Sequence, residues 1–157
     1  MIPIVQSKRK PFDRGLYNIA DPLAKKCITK YLTDIKHIVD PPTENYGVDL
    51  HSTLDGDPYY HEVEMKFMWK GEWPKSWEDI HIPYRKNRLI KKIYGENPKA
   101  NFYFYIIRGD CQQAWKMNGK TVQSSEVVEV PNRRIHKGEY FFKVPVDKAE
   151  LLLFKED

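Results

Sequence analysis

Glu62, Glu64 and Lys66 alternate with Val63, Met65 and Phe67 in the stretch Tyr60-His61-Glu62-Val63-Glu64-Met65-Lys66-Phe67. An extended strand sends successive side chains to opposite faces, so the segment offers one apolar face and one face with two acids and a base. Upstream, Val48-Asp49-Leu50 is a second alternating run that adds a third acid. Carboxylates from neighbouring strands can hold a divalent metal ion, and an amine beside it can stabilise negative charge as it develops.

Whether the acids meet depends on the turn between the runs. Leu54-Asp55-Gly56-Asp57-Pro58 carries an Asp-Gly pair, a strong hairpin signal. A two-residue loop at Asp55-Gly56 places Asp49 opposite Glu62, and one at Gly56-Asp57 places it opposite Glu64. Directly opposed residues of an antiparallel pair share a face, so both registers put Asp49 with Glu62, Glu64 and Lys66. A three-residue loop or a bulge would reverse the parity and scatter the cluster.

Composition narrows the setting. The 157 residues suit one domain over 1–157, with 41% hydrophobic and 31% charged residues as in an ordinary soluble protein. No apolar run is long enough to span a bilayer, and Met1-Ile2-Pro3-Ile4-Val5 followed by Lys8-Arg9-Lys10 is not built like a signal peptide. Two cysteines, Cys27 and Cys111, are too few for a disulfide framework or a zinc site, which points to a reducing, cytoplasmic compartment. The net charge of +4 is uneven: Lys8, Arg9, Lys10 and Arg14 cluster early, and Arg85, Lys86, Arg88, Lys91 and Lys92 cluster later. Residues 44–64 between them hold acids but no Lys or Arg. An acidic centre flanked by basic segments suits a polyanion held around a metal; a basic run by itself is more often a solvated face.

Elements follow from periodicity. Residues 1–19 read as irregular, and Asp21 with Pro22 opens a helix whose apolar stripe is Leu23, Cys27, Ile28, Tyr31, Leu32, Ile35, Ile38 and Val39, stopped by Pro41-Pro42. The hairpin strands fall at about 46–54 and 59–69, and 70–82 reads as a long loop pinned to the body by Trp69, Trp73 and Trp77. Pro83 opens a second helix through about Tyr94, ending at Gly95. The run 101–107 suits a strand buried on both faces. Asn118-Gly119 predicts a hairpin turn between 114–117 and 120–123, with short strands at 126–130 and 140–144. Asp147 with Glu150 predicts a final helix carrying Leu151 to Phe154.

The Asp49…Glu64-x-Lys66 pattern and the order helix, hairpin, helix, strand resemble the PD-(D/E)XK nuclease superfamily over about residues 20–110. The resemblance implies an α/β (α+β) fold: a restriction-endonuclease-like core with a central mixed β-sheet flanked by helices, then a β-rich extension over about 111–157. Val48 stands where the motif's name has Pro, and no Glu precedes Glu44; Asp34 and Asp40 are weak substitutes for the first-helix acid carried by many members. The resemblance implies a metal-dependent endonuclease hydrolysing DNA phosphodiester bonds; the sequence does not separate DNA from RNA as substrate. Asp49, Glu64 and the Met65 carbonyl would hold Mg²⁺, or Mn²⁺ in its place, since hard oxygen donors suit these ions. Lys66 would position or activate the attacking water and stabilise developing charge. Glu62 shares the face as an accessory ligand or as a solvated acid. Arg85, Lys86, Asn87 and Arg88, together with Lys8, Arg9 and Lys10, are the candidate phosphate contacts. A homodimer or higher homo-oligomer is compatible with cutting both strands.

Other residues read as structural. His61 points to the apolar face and suits a hydrogen-bonded core histidine, and Asp55 and Asp57 suit the turn. Two rival functions stay open: a non-catalytic nucleic-acid-binding or assembly module on the same fold, and an unrelated interaction domain whose acidic face is a solvated salt-bridge surface.

Overall fold

The computed structural model describes residues 14–41, 47–131 and 139–154. In chain order its elements are α1 (Arg14–Asp34), β1 (Ile38–Val39), β2 (Leu50–Leu54), β3 (Asp57–Lys66), β4 (Asp79–Pro83), a 3-10 turn (Tyr84–Lys86), α2 (Asn87–Glu96), β5 (Asn101–Arg108), β6 (Gln113–Asn118), the short α3 (Gly119–Gln123), β7 (Glu126–Val130), β8 (Glu139–Pro145), a second 3-10 turn (Val146–Lys148) and β9 (Glu150–Leu153). The protein is a mixed α+β structure. Six strands form the main sheet in the order β1-β2-β3-β5-β6-β9, and β4-β8-β7 form a smaller antiparallel sheet.

The run 101–107 lies inside the main sheet, as its composition predicts. β5 pairs in parallel with β3 and antiparallel with β6. Its alternate residues feed two cores. Phe102, Phe104 and Ile106 pack with Ile90, Ile93 and Tyr94 of α2 and with Ile80, Ile82, Phe142 and Val144 of the smaller sheet. Tyr105 and Ile107 pack with Ala24, Ile28 and Leu32 of α1. Burying both faces requires the continuous apolar run seen there. The β3–β5 pair is parallel, so the chain between them makes a long crossover, which here carries β4 and α2.

Several elements differ from the sequence expectation. α1 already runs from Arg14, so Pro22 lies inside it; Asp21 does not cap it but pairs with Lys25 at 3.1 Å. Pro22 removes only one intrahelical donor, and the helix continues past it. At the other end α1 stops before Pro41-Pro42. The His37 N–H donates to the Leu32 carbonyl (2.9 Å) and the Lys36 N–H to the Thr33 carbonyl (3.0 Å), with Lys36 at φ 74°. This is a Schellman stop with lysine in the left-handed position that favours glycine. It frees the β-branched Ile38 and Val39 to pair with Thr53 and Ser52 as β1.

The stretch 70–82 contains β4, whose Ile80 and Ile82 alternate inward with His81 outward. Pro83 closes β4, and α2 continues through Gly95 to Glu96. Asn118-Gly119 does not form a hairpin. The Asn118 side chain accepts the Lys120 N–H (2.8 Å) and caps α3, which buries Val122. Gly119 is required by crowding, because a Cβ there would lie 2.6 Å from the Tyr94 hydroxyl and 2.9 Å from Phe102 Cδ2. The expected final helix is instead strand β9. It pairs with β6 at the sheet's edge and buries Leu152, while Leu153 is 69% exposed. A short apolar run suits a strand whose alternate residues reach the core as well as it suits a helix.

Two substitutions test these local readings by chemical denaturation. Lys36→Gly is expected to stabilise the fold by about 0.5–1 kcal/mol by relieving the left-handed backbone. Gly119→Ala is expected to destabilise it by about 1–3 kcal/mol through overpacking against Tyr94 and Phe102.

Candidate functional site

The hairpin turn decides the site. Leu54 pairs with Asp57 and Leu50 with His61, so the loop is the two residues Asp55-Gly56. Both have positive φ, 53° and 86°, as a type I′ turn requires. Of the two registers open to the sequence, the molecule adopts the one that sets Asp49 beside Glu62. β2 ends one residue short of this position, and side chains replace the ladder. The Asp49 N–H donates to Glu62 Oε2 (2.8 Å), and the Val63 N–H donates to Asp49 Oδ2 (2.9 Å).

Glu62 is the most enclosed of the acids, only 5% exposed, which removes its reading as a solvated acid. Its second oxygen accepts from Lys86 Nζ at 2.7 Å, at the foot of α2. Burial raises its carboxyl above the ordinary carboxylate range. Lys86 opposes that rise, the Asp49 charge adds to it, and the hydrogen bonds from Lys86 and the Asp49 backbone oppose it. Glu64, two residues on, is exposed. Protein packed around it pushes its carboxyl upward; Lys86, Arg85 and Lys66 pull it down, and Asp49 pushes it up. Because water reaches the side chain, solvent offsets much of the crowding. No ion pair or hydrogen bond engages the Glu64 carboxylate among the described residues.

Lys66 ends β3 with its Nζ 5.3 Å from the centre of the Trp77 ring. That contact holds the ammonium over an aromatic face at the end of the acidic strand. Met65 points its side chain into the core under α1. Arg85 and Lys86 lie in the 3-10 turn, and Asn87 and Arg88 open α2; Arg85 and Arg88 are exposed, Asn87 bonds the Tyr84 hydroxyl (3.3 Å), and Lys86 turns inward to Glu62. Lys8, Arg9 and Lys10 lie outside the described residues. Asp40 pairs with His51, which sequence reasoning had not singled out.

The tryptophans act as the pinning reading expects. Trp69 is buried against Trp73 and Trp115, and the Trp73 indole N–H donates to the Trp77 carbonyl at 2.6 Å. His61 is likewise structural. Its Nε2 bonds Ser52 Oγ (2.8 Å), which also bonds His37 Nδ1 (2.8 Å), and its Nδ1 bonds the Tyr105 hydroxyl (3.0 Å). Burial, with the charges of His37, Lys116 and His51, lowers His61 to about 3.

The chemistry of a divalent ion can be tested against these donors. Among the described residues Asp49 has one oxygen bonded to backbone and the Glu64 carboxylate has no bond, so the pair offers hard oxygen donors, and Asp49 adds to the upward push on the Glu64 carboxyl. The donor type fits magnesium or manganese. Among the described residues, however, no group of three or more His, Cys, Asp or Glu side chains is arranged to hold a metal ion. Comparison with family models, with curated proteins and with solved structures returns no match.

Lys86 was absent from the sequence reading as Glu62's partner. A strand acid and a residue 24 positions later give no local signal; only the crossover that brings α2 over β3 joins them.

Two titrations follow. In a ¹³C carboxyl NMR titration, Glu62 is expected to protonate above 4.5, higher still in Lys86→Met and lower in Asp49→Asn. For His61, a folded pKa below the ordinary 6.5 means stability that is full above pH 6.5 and lost as pH falls toward about 3. Denaturation across that window is expected to show a flatter acid limb in His61→Gln than in the parent chain.

Proposed function

We propose that this chain is a metal-dependent endonuclease that hydrolyses phosphodiester bonds in DNA, with Asp49, Glu64 and Lys66 as its catalytic residues. The observation that carries the reading is the Asp55-Gly56 register, which sets Asp49 against the acidic face of β3. The element order of the main sheet supports it: α1, an antiparallel β1-β2-β3 meander, a crossover that carries β4 of the smaller sheet and then α2, and β5 parallel to β3. That is the order expected of a restriction-endonuclease-like core, with β6 to β9 as the β-rich extension.

In this reading Asp49 and Glu64, with the Met65 carbonyl, hold Mg²⁺ or Mn²⁺. The bound ion supplies positive charge at the phosphate and lowers the pKa of water there. Lys66, steadied over Trp77, orients the attacking water and stabilises the negative charge that builds on the phosphate oxygens. Water attacks phosphorus and the 3′ oxygen leaves with a proton, giving the 5′-phosphate and 3′-hydroxyl that the resemblance implies. Glu62 and Lys86 brace Asp49 beneath the site. Exposed Arg85 and Arg88 contact the DNA backbone, and Lys8, Arg9 and Lys10 add to that grip. No helix among the described residues is long and apolar enough to cross a membrane. A reducing, cytoplasmic setting and a homo-oligomer that cuts both strands belong to the same proposal.

A second reading is a non-catalytic nucleic-acid-binding or assembly module. It is favoured by one observation: both Glu62 oxygens and one Asp49 oxygen already serve internal hydrogen bonds. Plasmid, linear, branched and single-stranded DNA, and RNA, incubated with Mg²⁺, Mn²⁺ or EDTA separate the two. Cleavage with either metal is expected, abolished by EDTA and reduced at least about 100-fold by each of Asp49→Asn, Glu64→Gln and Lys66→Ala with folding intact. Metal-dependent cutting that survives all three changes rejects this site, and DNA retardation without cutting selects the second reading.

A further inference from the structure

Cys27 and Cys111 stand 84 residues apart in sequence yet meet in space. Cys27 lies on the inward side of α1, beside Ala24 and Ile28, and both cysteines pack against the core that joins α1 to the sheet. The Cys27 thiol is 3.9 Å from the Cys111 carbonyl, which sets the two residues side by side. Both are free and half-buried, so each can be reached.

The backbone at Cys111 is a second observation. The turn after β5 is closed by the Cys111 N–H donating to the Arg108 carbonyl (2.8 Å), and Cys111 sits at φ 60°. Glycine or asparagine adopts that conformation with least strain; a cysteine there costs about 1 kcal/mol. From this turn the Cys111 side chain packs against the core shared by α1 and the sheet.

We propose that Cys27 and Cys111 form a reversible intramolecular disulfide, a redox-sensitive tether between α1 and the β5–β6 turn. The oxidant class is a small disulfide such as oxidised glutathione. The Cys111 thiol loses its proton and its sulfur attacks one sulfur of glutathione disulfide, expelling one glutathione thiolate, which takes up a proton. The Cys27 thiol then loses its proton and attacks the Cys111 sulfur of the mixed disulfide, expelling the second glutathione. The two cysteine sulfurs are oxidised and two glutathiones are released reduced. The order follows from the surroundings. Burial raises both thiols, Cys27 to about 12, and the Cys111 charge raises Cys27 further, whereas the hydrogen bond from Cys27 works to lower Cys111. This tether is independent of the nuclease reading.

The test uses the full chain with oxidised glutathione, followed by denaturing alkylation and intact-mass measurement. The expected product has lost two hydrogens, takes up no alkylating agent, migrates faster on a non-reducing gel and reverts with dithiothreitol. Its Tm is expected to rise by about 5 °C or more, because the bond closes a long loop. Cys27→Ser and Cys111→Ser are each expected to give neither the mass loss nor the Tm rise. Two free thiols after treatment, a stable glutathione adduct as the end product, or a dimer linked between chains would each overturn the proposal.

Discussion

Two hydrogen bonds between side chains and backbone hold the acidic face together. Where β2 stops, Glu62 accepts the Asp49 N–H and Asp49 accepts the Val63 N–H, so the ladder continues through carboxylates. This reciprocal exchange is possible only because the turn has two residues. A change of one residue in that loop would turn Asp49 to the α1 side, where Leu50, Ser52 and His61 now lie. Everything proposed for the face follows from that parity.

The main sheet carries a polar system on each side of β3. Under α1, His37, Ser52, His61 and Tyr105 form a buried chain of hydrogen bonds. Toward α2, Glu62 is held by Lys86 and by the Asp49 backbone. The two differ in what burial does. Burial favours the neutral form of both histidines, and His61 is bonded at both ring nitrogens, which rigidifies the meander beneath α1. The carboxylates are crowded together, with a cation drawn in from a distant element to offset them. Unpaired buried charge is expensive, so Lys86 is as much a requirement of the fold as of any site.

The parts of this arrangement visible in sequence are those coded locally. The Asp-Gly turn, the alternation through Lys66, the buried run of β5, the strands at 126–130 and 140–144, and the structural role of His61 all follow from short-range patterns. What was missed depended on tertiary contact. Asn118-Gly119 has the composition of a hairpin turn, but Gly119 is needed where the chain passes Tyr94 and Phe102. Leu151 to Leu153 fit a helix or a strand equally until β6 offers its edge. Lys36 shows no stop signal, since lysine seldom takes the left-handed conformation it has here. The acids of the candidate site were legible; the cation that braces them was not.

The hairpin also orders events in time. β2 and β3 are joined by two residues and can zip within microseconds, whereas the parallel partner β5 must wait for the whole crossover to close. A folding chain therefore gathers Asp49, Glu62 and Glu64 before Arg85 and Lys86 arrive to balance them. Mutual repulsion in that nascent ribbon opposes its own closure, and dissolved counterions screen it. Ionic strength thus acts on the speed of assembly at the stage when the carboxylates are alone.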